Sequence, residues 1–382
     1  MKILHVFPFY SISGGGGTTW LIDQLSIAQS KAGHEVTVIT TDYMFDQNNL
    51  NNKNNYNVVA LKSYFNFFGI YFSPELFRFC NKSLRDYDII HLHLFRSIQN
   101  SIICYYANKF KIPYVIDAHG SLPRHFKVKY LKKYFFDILL GKDILKNSKA
   151  FIAENELSYK EYIDYGVDDD KIAIVRPPFP VKEYVDLPRK GLFKSKHNLE
   201  KKSIILFFGR IHWIKGIDIL VKSFNLIQLR RDDIHLVIMG EDDGFKAKVV
   251  EIIKNLKITH KVLFTGYLSG NEKLSCIIDS SVVVQTSRYE QGAGAPLEAV
   301  LCNVPIIVSD NSGAAMDVKR LNAGYIVNFN DHEQLSDTIE YVVDNQDEAV
   351  IKTKFGAERI RQDLSIEKNI IEYDKVYKSC ID

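Results

Sequence analysis

The chain runs to 382 residues, 46% of them hydrophobic and 25% charged, with a formal net charge of +3. That length exceeds what one hydrophobic core usually organises, so two domains are expected rather than one. A charge this close to balance excludes wholesale nucleic-acid binding and leaves room only for local basic patches.

Short β-rich runs recur through the first half, at Ile3–Phe7, Val36–Thr40, Val58–Leu61, Ile89–Leu92, Tyr114–Asp117 and Ala150–Ala153, separated by longer segments, some of helical periodicity. Strands apolar on both faces that alternate with helices indicate a parallel sheet covered on both sides. Gly14, Gly15, Gly16 and Gly17 follow the first run and precede a helical stretch, Thr18–Ala32. Amide groups at a helix start favour an anion, although four glycines in a row also suit a flexible loop, and GxGxxG spacing is absent. Aromatics are dense from Tyr64 to Phe79 and read as core or cleft lining. His91 and His93 alternate along one strand, point to one face and read as packing or support rather than as metal ligands.

From Arg124 to Lys149, eight Lys/Arg stand against two Asp, interleaved with Phe126, Tyr130, Leu131, Tyr134, Phe135, Phe136, Ile138 and Leu139. Such a stretch either lies on an anionic membrane surface or packs its apolar face on its own domain. Arg176–Lys202 carries Pro177, Pro178, Pro180 and Pro188 and then a basic tract, the pattern of a linker.

The alternation restarts at Ile204–Phe208, Leu236–Met239, Val262–Thr265, Val282–Gln285, Ile306–Ser309 and Gly324–Val327. The expected architecture is therefore α/β, two doubly wound Rossmann-like domains with a cleft between them, where ligands bind beyond the strands' carboxyl ends. The candidate residues fall at those ends. Arg210 closes the first strand of the second half and Lys215-Gly216 precedes the next helix, two cations able to neutralise a diphosphate. Glu290 and Glu298 stand eight positions apart across a Gly/Ala-rich turn, with Gly292 and Gly294 open to an anion and Pro296 in the first helical turn. Each carboxylate can accept hydrogen bonds from neighbouring hydroxyls. Acid runs at Asp168–Asp170 and Glu241–Asp243 read as solvated loops, so no metal site and no cofactor is assigned. The last stretch, Ile366–Tyr377, places Ile366, Ile370, Tyr373 and Tyr377 on one helical face after the cap candidate Ser365.

Cys80, Cys104, Cys276, Cys302 and Cys380 are odd in number and lack paired or metal-like spacing, which favours a reducing, cytoplasmic setting. The opening apolar run is too short for a signal peptide, and nowhere do about 18 to 20 apolar residues run uninterrupted.

In this order and spacing the motifs resemble the retaining, nucleotide-sugar-dependent glycosyltransferases of family 4, which have the GT-B fold. The resemblance is carried by Lys2-Ile3-Leu4-His5-Val6, the glycine row, Asp88-Ile89-Ile90-His91-Leu92-His93, Pro113 to Gly120 with His119, Phe208-Gly209-Arg210 with Lys215-Gly216, and the acid pair. It implies a donor-side domain at 203–363, a linker at 181–202, and an acceptor-side domain at 1–180 onto which the terminal helix, 364–382, crosses back. It further implies that Arg210 and Lys215 stabilise a departing diphosphate, helped by amides near Gly14 to Gly17 and Gly292 to Gly294. Glu298 would hold the ribose, Glu290 the donor sugar, and His119 would contact that sugar near the reacting carbon. The implied partners are a nucleotide-sugar donor and a glycan or lipid-linked acceptor, with peripheral contact to the inner membrane leaflet and a place in cell-surface polysaccharide synthesis. A sugar-nucleotide 2-epimerase and a non-catalytic sugar-nucleotide-binding subunit share the architecture, and product analysis with donor alone separates them. Where the family commonly follows its first acid with Gly-Phe-Gly, Glu290 is followed here by Gln291, Gly292, Ala293 and Gly294.

Overall fold

The computed structural model describes residues 1–10, 16–43, 45, 55–67, 70–123, 127–292 and 294–381. They form two compact units: Met1–Phe179 with Leu364–Asp382, and Pro180–Asp363.

The first unit is built on a seven-stranded parallel sheet. Its strands are β1 (Lys2–Phe9), β2 (Glu35–Thr41) and β3 (Asn57–Leu61), then β6 (Ile89–His93), β7 (Tyr114–Asp117), β8 (Ala150–Ala153) and β9 (Ile172–Ile174). A small antiparallel hairpin, β4 (Phe65–Phe67) and β5 (Ile70–Phe72), lies outside that sheet. The order is β3-β2-β1-β6-β7-β8-β9, so the winding reverses between β1 and β6. Alternation along β1 divides its side chains. Leu4 and Val6 enter one core with Ile90, Leu92 and Ile116, while Ile3 and Phe7 enter another with Ile89, Val115 and the C-terminal helix Ile366–Ile381. The second face also carries fully buried polar side chains among its apolar neighbours, with His5 on β1 and His91 and His93 on β6.

The terminal helix buries Ile370, Tyr373, Val376 and Tyr377 in that core. It is tied in further by His34, whose Nε2 lies 2.9 Å from the Asp374 carboxylate, and by the Phe179 amide donating to the Leu364 carbonyl at 2.8 Å.

The second unit holds a six-stranded parallel sheet. Its strands are β10 (Ser203–Phe208), β11 (Ile234–Met239), β12 (Val262–Gly266), β13 (Val282–Gln285), β14 (Ile306–Ser309) and β15 (Tyr325–Val327). In the order β12-β11-β10-β13-β14-β15, the reversal falls between β10 and β13. The two sheets establish the α/β architecture of two Rossmann-like units.

Residues 181–202, which read as a linker, fold into this unit instead. The Asp279 carboxylate accepts the amides of Gly191, Phe193 and Lys194, starting the short helix Leu192–Lys196, and Phe193 and Tyr184 are buried. The prolines punctuate the segment, but an anchor some 80 residues onward holds it in place.

Candidate functional site

In the second unit the loops after β10 and β13 meet at the sheet's switch point. After β10 a single 3₁₀ turn, Trp213–Lys215, ends at Gly216 in the left-handed region, with φ +65°, before the helix Ile217–Gln228 begins. A Cβ on Gly216 would lie 1.9 Å from the Thr286 carbonyl oxygen, so only glycine allows this contact. Thr286 Oγ1 donates to the Gly216 carbonyl at 2.9 Å, and the Arg288 amide donates to Ile214 at 2.7 Å. The Arg288 guanidinium grips both oxygens of Asp218, at 2.8 and 2.7 Å, and donates to the Trp213 carbonyl. These bonds join the two loops into one body.

Lys215 and Glu290 project from that body and form an ion pair, their side chains 15% and 20% exposed. Gln285 Nε2 and Ser287 Oγ donate to the same carboxylate oxygen, each at 3.1 Å. Arg210 turns elsewhere: its guanidinium pairs with Asp243, and 63% of its side chain is exposed. The two cations expected to neutralise a diphosphate each have their own acid, Asp243 for Arg210 and Glu290 for Lys215. In the acidic run, Asp242 accepts the amides of Gly244, Phe245 and Lys246 at the start of the helix Lys246–Asn255.

Glu298 lies on the helix Gly294–Leu301, which has Pro296 in its first turn. It pairs with Lys273 from the helix Gly270–Ile278. Burial, then the Glu298 charge and hydrogen bond, push the Tyr184 hydroxyl far above its usual range; burial, then the same charge, raise the Glu183 carboxyl. Gly294 begins its helix with open space where a Cβ would sit, and Gly292 precedes it.

In the first unit, Gly16 and Gly17 open the helix Gly16–Lys31, with nothing near the place of a Gly17 Cβ. Gly14 and Gly15 lie outside the described residues. His119 follows β7 with a φ of +44°, a conformation uncommon for a residue with a Cβ. Its side chain is only 4% exposed, and both ring nitrogens are engaged. Nδ1 meets Glu154 at 2.6 Å and Asp117 at 3.3 Å; Nε2 meets His93 Nδ1 at 2.8 Å. His93 Nε2 in turn meets His5 Nδ1 at 2.9 Å, and His5 Nε2 meets Gln29 Oε1 at 2.6 Å. Gln29 Nε2 donates to the Tyr377 hydroxyl, which lies 2.7 Å from His91 Nδ1.

Strand pairing explains the chain: His5 is in register with His91, and His93 with Asp117. Burial lowers His5 to about 4 against the opposing Gln29 hydrogen bond, and lowers His91 and His93 well below the usual range. Burial would lower His119 too, but Asp117 and Glu154 outweigh it and raise it. Burial also pushes the Asp117 carboxyl up to about 7 against the pull of His119. The nitrogens of His5, His91 and His93 cluster closely, as do the donor atoms of Asp117, His119 and Glu154. Mutual hydrogen bonds account for both nitrogens of His5, His93 and His119.

Sequence reasoning therefore missed Gln29, Glu154, Tyr184, Lys273, Ser287 and the Arg288–Asp218 clamp. The buried role of His5 was missed as well, although it stands as a polar residue inside an otherwise apolar strand.

Among the described residues no helix is long and apolar enough to cross a membrane. A group of exposed apolar side chains nevertheless stands on the segment that joins the helix Lys127–Phe136, a π-turn at Asp137–Gly141 and the helix Lys142–Asn147. It comprises Leu131, Tyr134, Phe135, Ile138, Leu139 and Leu140, with Leu139 70% exposed. The π-turn brings Ile138, Leu139 and Leu140 to the surface in succession, while Asp137 turns inward to a bidentate pair with Arg96 at 2.7 Å.

Comparison with known proteins gives the class to which the chain belongs. Residues 15–183 match the model for Glycosyltransferase Family 4, and residues 189–358 match that for glycosyl transferases group 1. The chain is a glycosyltransferase of the GT-B fold. It is 24% identical over 338 residues to an uncharacterized glycosyltransferase of Methanocaldococcus jannaschii, covering 84% of this chain and 83% of that protein. It is also 24% identical over 289 residues to the N,N'-diacetylbacillosaminyl-diphospho-undecaprenol alpha-1,3-N-acetylgalactosaminyltransferase of Campylobacter jejuni, with coverages of 70% and 72%. The crystal structure of Anabaena HepE in complex with UDP and glucose superposes with a TM-score of 0.82 at 15% identity, over 99% of this chain and 100% of that one.

Proposed function

We propose that the enzyme transfers a sugar from a nucleoside diphosphate to a hydroxyl of a glycan or lipid-linked saccharide, with retention of anomeric configuration. The observation that carries this reading is the Lys215–Glu290 pair, held by the clamped loops at the β10/β13 switch point. In the absence of donor the two charges satisfy each other. With donor bound, Lys215 turns to the diphosphate and Glu290 accepts hydroxyls of the sugar. Arg210 adds positive charge, and the amides beginning at Gly294 complete an anion cradle. Glu298 exchanges Lys273 for the ribose diol. These fixed charges supply what a metal ion would otherwise supply to the leaving group, so transfer proceeds without one. His119, with no free ring nitrogen, acts through its charge rather than as a hydrogen-bond donor to the sugar.

Support for a lipid-linked acceptor comes from the apolar group around Leu139, which has the exposed cations Lys132, Lys142 and Lys146 on the same segment. That pairing of apolar and basic side chains suits an anionic leaflet. The Campylobacter relative, by its name, acts on an undecaprenol-linked saccharide.

The test is a screen of UDP-, GDP- and dTDP-sugars for nucleotide release, followed by determination of the product's anomeric configuration. Release dependent on added acceptor, with retention, is expected. An inverted product would remove the retaining mechanism, and conversion of the donor to an epimer without acceptor would replace transfer with isomerisation.

A further inference from the structure

We propose that Glu154 is a positioning residue that, with Asp117, holds His119 as an imidazolium whose Nε2–H points inward at His93, placing a fixed positive charge at the turn after β7. Proton positions along the buried chain depend on one another. A neutral imidazole has one donor and one acceptor nitrogen, so in a row of hydrogen-bonded rings the direction chosen at one end is imposed on all.

Gln29 sets the direction at the far end. Its Nε2 donates to Tyr377, which leaves Oε1 facing His5 Nε2 at 2.6 Å. An oxygen only accepts, so His5 carries its proton on Nε2 and offers Nδ1 as acceptor. His93 must then donate from Nε2, at 2.9 Å, and accept at Nδ1. His119 in turn must donate from Nε2, at 2.8 Å. Its Nδ1, 2.6 Å from the Glu154 carboxylate, is a donor as well. Two donors on one ring make an imidazolium.

Reversal of the whole row, with Gln29 rotated so that its amide nitrogen faces His5, gives the neutral alternative. Every ring would then carry its proton on Nδ1. The two arrangements differ by one proton, and the carboxylates next to His119 decide between them.

The groups facing the ring are few. Asp117 and Glu154 come from the ends of β7 and β8, and His93 and His91 from β6. Tyr162, from the helix Glu156–Asp164, accepts the Ala118 amide and donates to the Ile116 carbonyl, so its hydroxyl is occupied. Tyr373, from the C-terminal helix, has a buried hydroxyl without a partner and lies near both acids. No other cation faces the acids among these residues, so His119 is the group that neutralises them. An imidazolium set against a negative charge shared by Asp117 and Glu154 leaves this interior cluster without net charge, as low polarity demands.

The effect on transfer rests on the reading above that places His119 at the reaction, but the protonation state can be read without turnover. The experiment is nitrogen NMR of ¹⁵N-histidine-labelled wild type, Glu154→Gln and Glu154→Asp, with His119 assigned by its loss in His119→Gln. At pH 7 wild type is expected to show His119 doubly protonated and His5 and His93 as Nε2–H tautomers. In Glu154→Gln the His119 midpoint falls by on the order of one pH unit or more, and His5 and His93 switch to Nδ1–H. Glu154→Asp restores the wild-type pattern. A neutral His119 in folded wild type, or unchanged tautomers in folded Glu154→Gln, overturns the proposal. Switched tautomers with unaltered transfer would leave it standing and instead remove His119 from the reaction.

Discussion

Gly216→Ala isolates the contact that fixes Lys215. Gly216 and Gly266 both have positive φ, +65° and +73°, so an added Cβ costs each about 1 to 2 kcal/mol of backbone strain. They differ in what that Cβ meets. At Gly266 there is nothing within 4 Å, whereas at Gly216 the Thr286 carbonyl oxygen is 1.9 Å away and its carbon 2.8 Å. Ordinary contact begins near 3.4 Å, so the two loops must part by more than about 1 Å, an overpacking cost of about 1 to 3 kcal/mol. The totals are then about 2 to 5 kcal/mol for Gly216→Ala and about 1 to 2 kcal/mol for Gly266→Ala. The same displacement carries Lys215 away from Glu290, and a misplacement of about 1 Å costs roughly a hundredfold in rate. Denaturant unfolding and nucleotide release, measured on both variants, should give a large loss in both quantities for Gly216→Ala and a small loss of stability alone for Gly266→Ala. Equal behaviour would refute the claim that this backbone contact positions the lysine.

Further expectations follow from the same geometry. Arg288→Ala leaves Asp218 in a largely enclosed site without its partner, so stability should fall by about 2 to 4 kcal/mol, and Arg288→Lys should recover only part because it cannot grip both oxygens; chemical denaturation measures both. The pH response has two opposing parts. The folded value of His5 is depressed to about 4, so its contribution of about 3 kcal/mol is present above the unfolded value near 6.5 and lost as pH falls through 4. Asp117 is raised to about 7, so its contribution is present below the unfolded value near 4 and lost as pH rises through 7. Asp117→Asn removes the second part and should make thermal stability fall more steeply from pH 7 to 5 than in wild type; parallel curves would contradict the assignment. Changing Lys132, Lys142 and Lys146 to Ala should weaken co-sedimentation with anionic vesicles by about a hundredfold, and unaltered binding would detach that surface from the membrane.

Much of the fold is legible because buried parallel strands announce themselves as short apolar runs. Tyr114–Asp117, Val282–Gln285 and Ile306–Ser309 can be read to the residue from such runs alone. The edge strand Ile172–Ile174 is three residues long and only half-buried, so it leaves too little pattern to recognise. Residues 181–202 look like a linker because prolines and lysines dominate locally, while the Asp279 carboxylate that orders them is remote in sequence. At the site, Lys215 and Glu290 are recognisable from their place at strand ends. That Arg210 pairs with Asp243, and Glu298 with Lys273, depends on loop geometry that no spacing rule contains. The histidine row is hidden for a related reason. Each ring lies on a strand that reads as core, and only the register of β1 with β6 and of β6 with β7 turns separate buried polar residues into one connected chain.

In the proposed reaction Lys215 carries the charge of the departing diphosphate. The most direct test is single-turnover release of nucleoside diphosphate by Lys215→Met, which keeps the length of the side chain and removes the charge. A fall of roughly 10² to 10³ in rate, with the fold intact, is expected from the loss of one such charge. A rate equal to that of wild type would contradict the account.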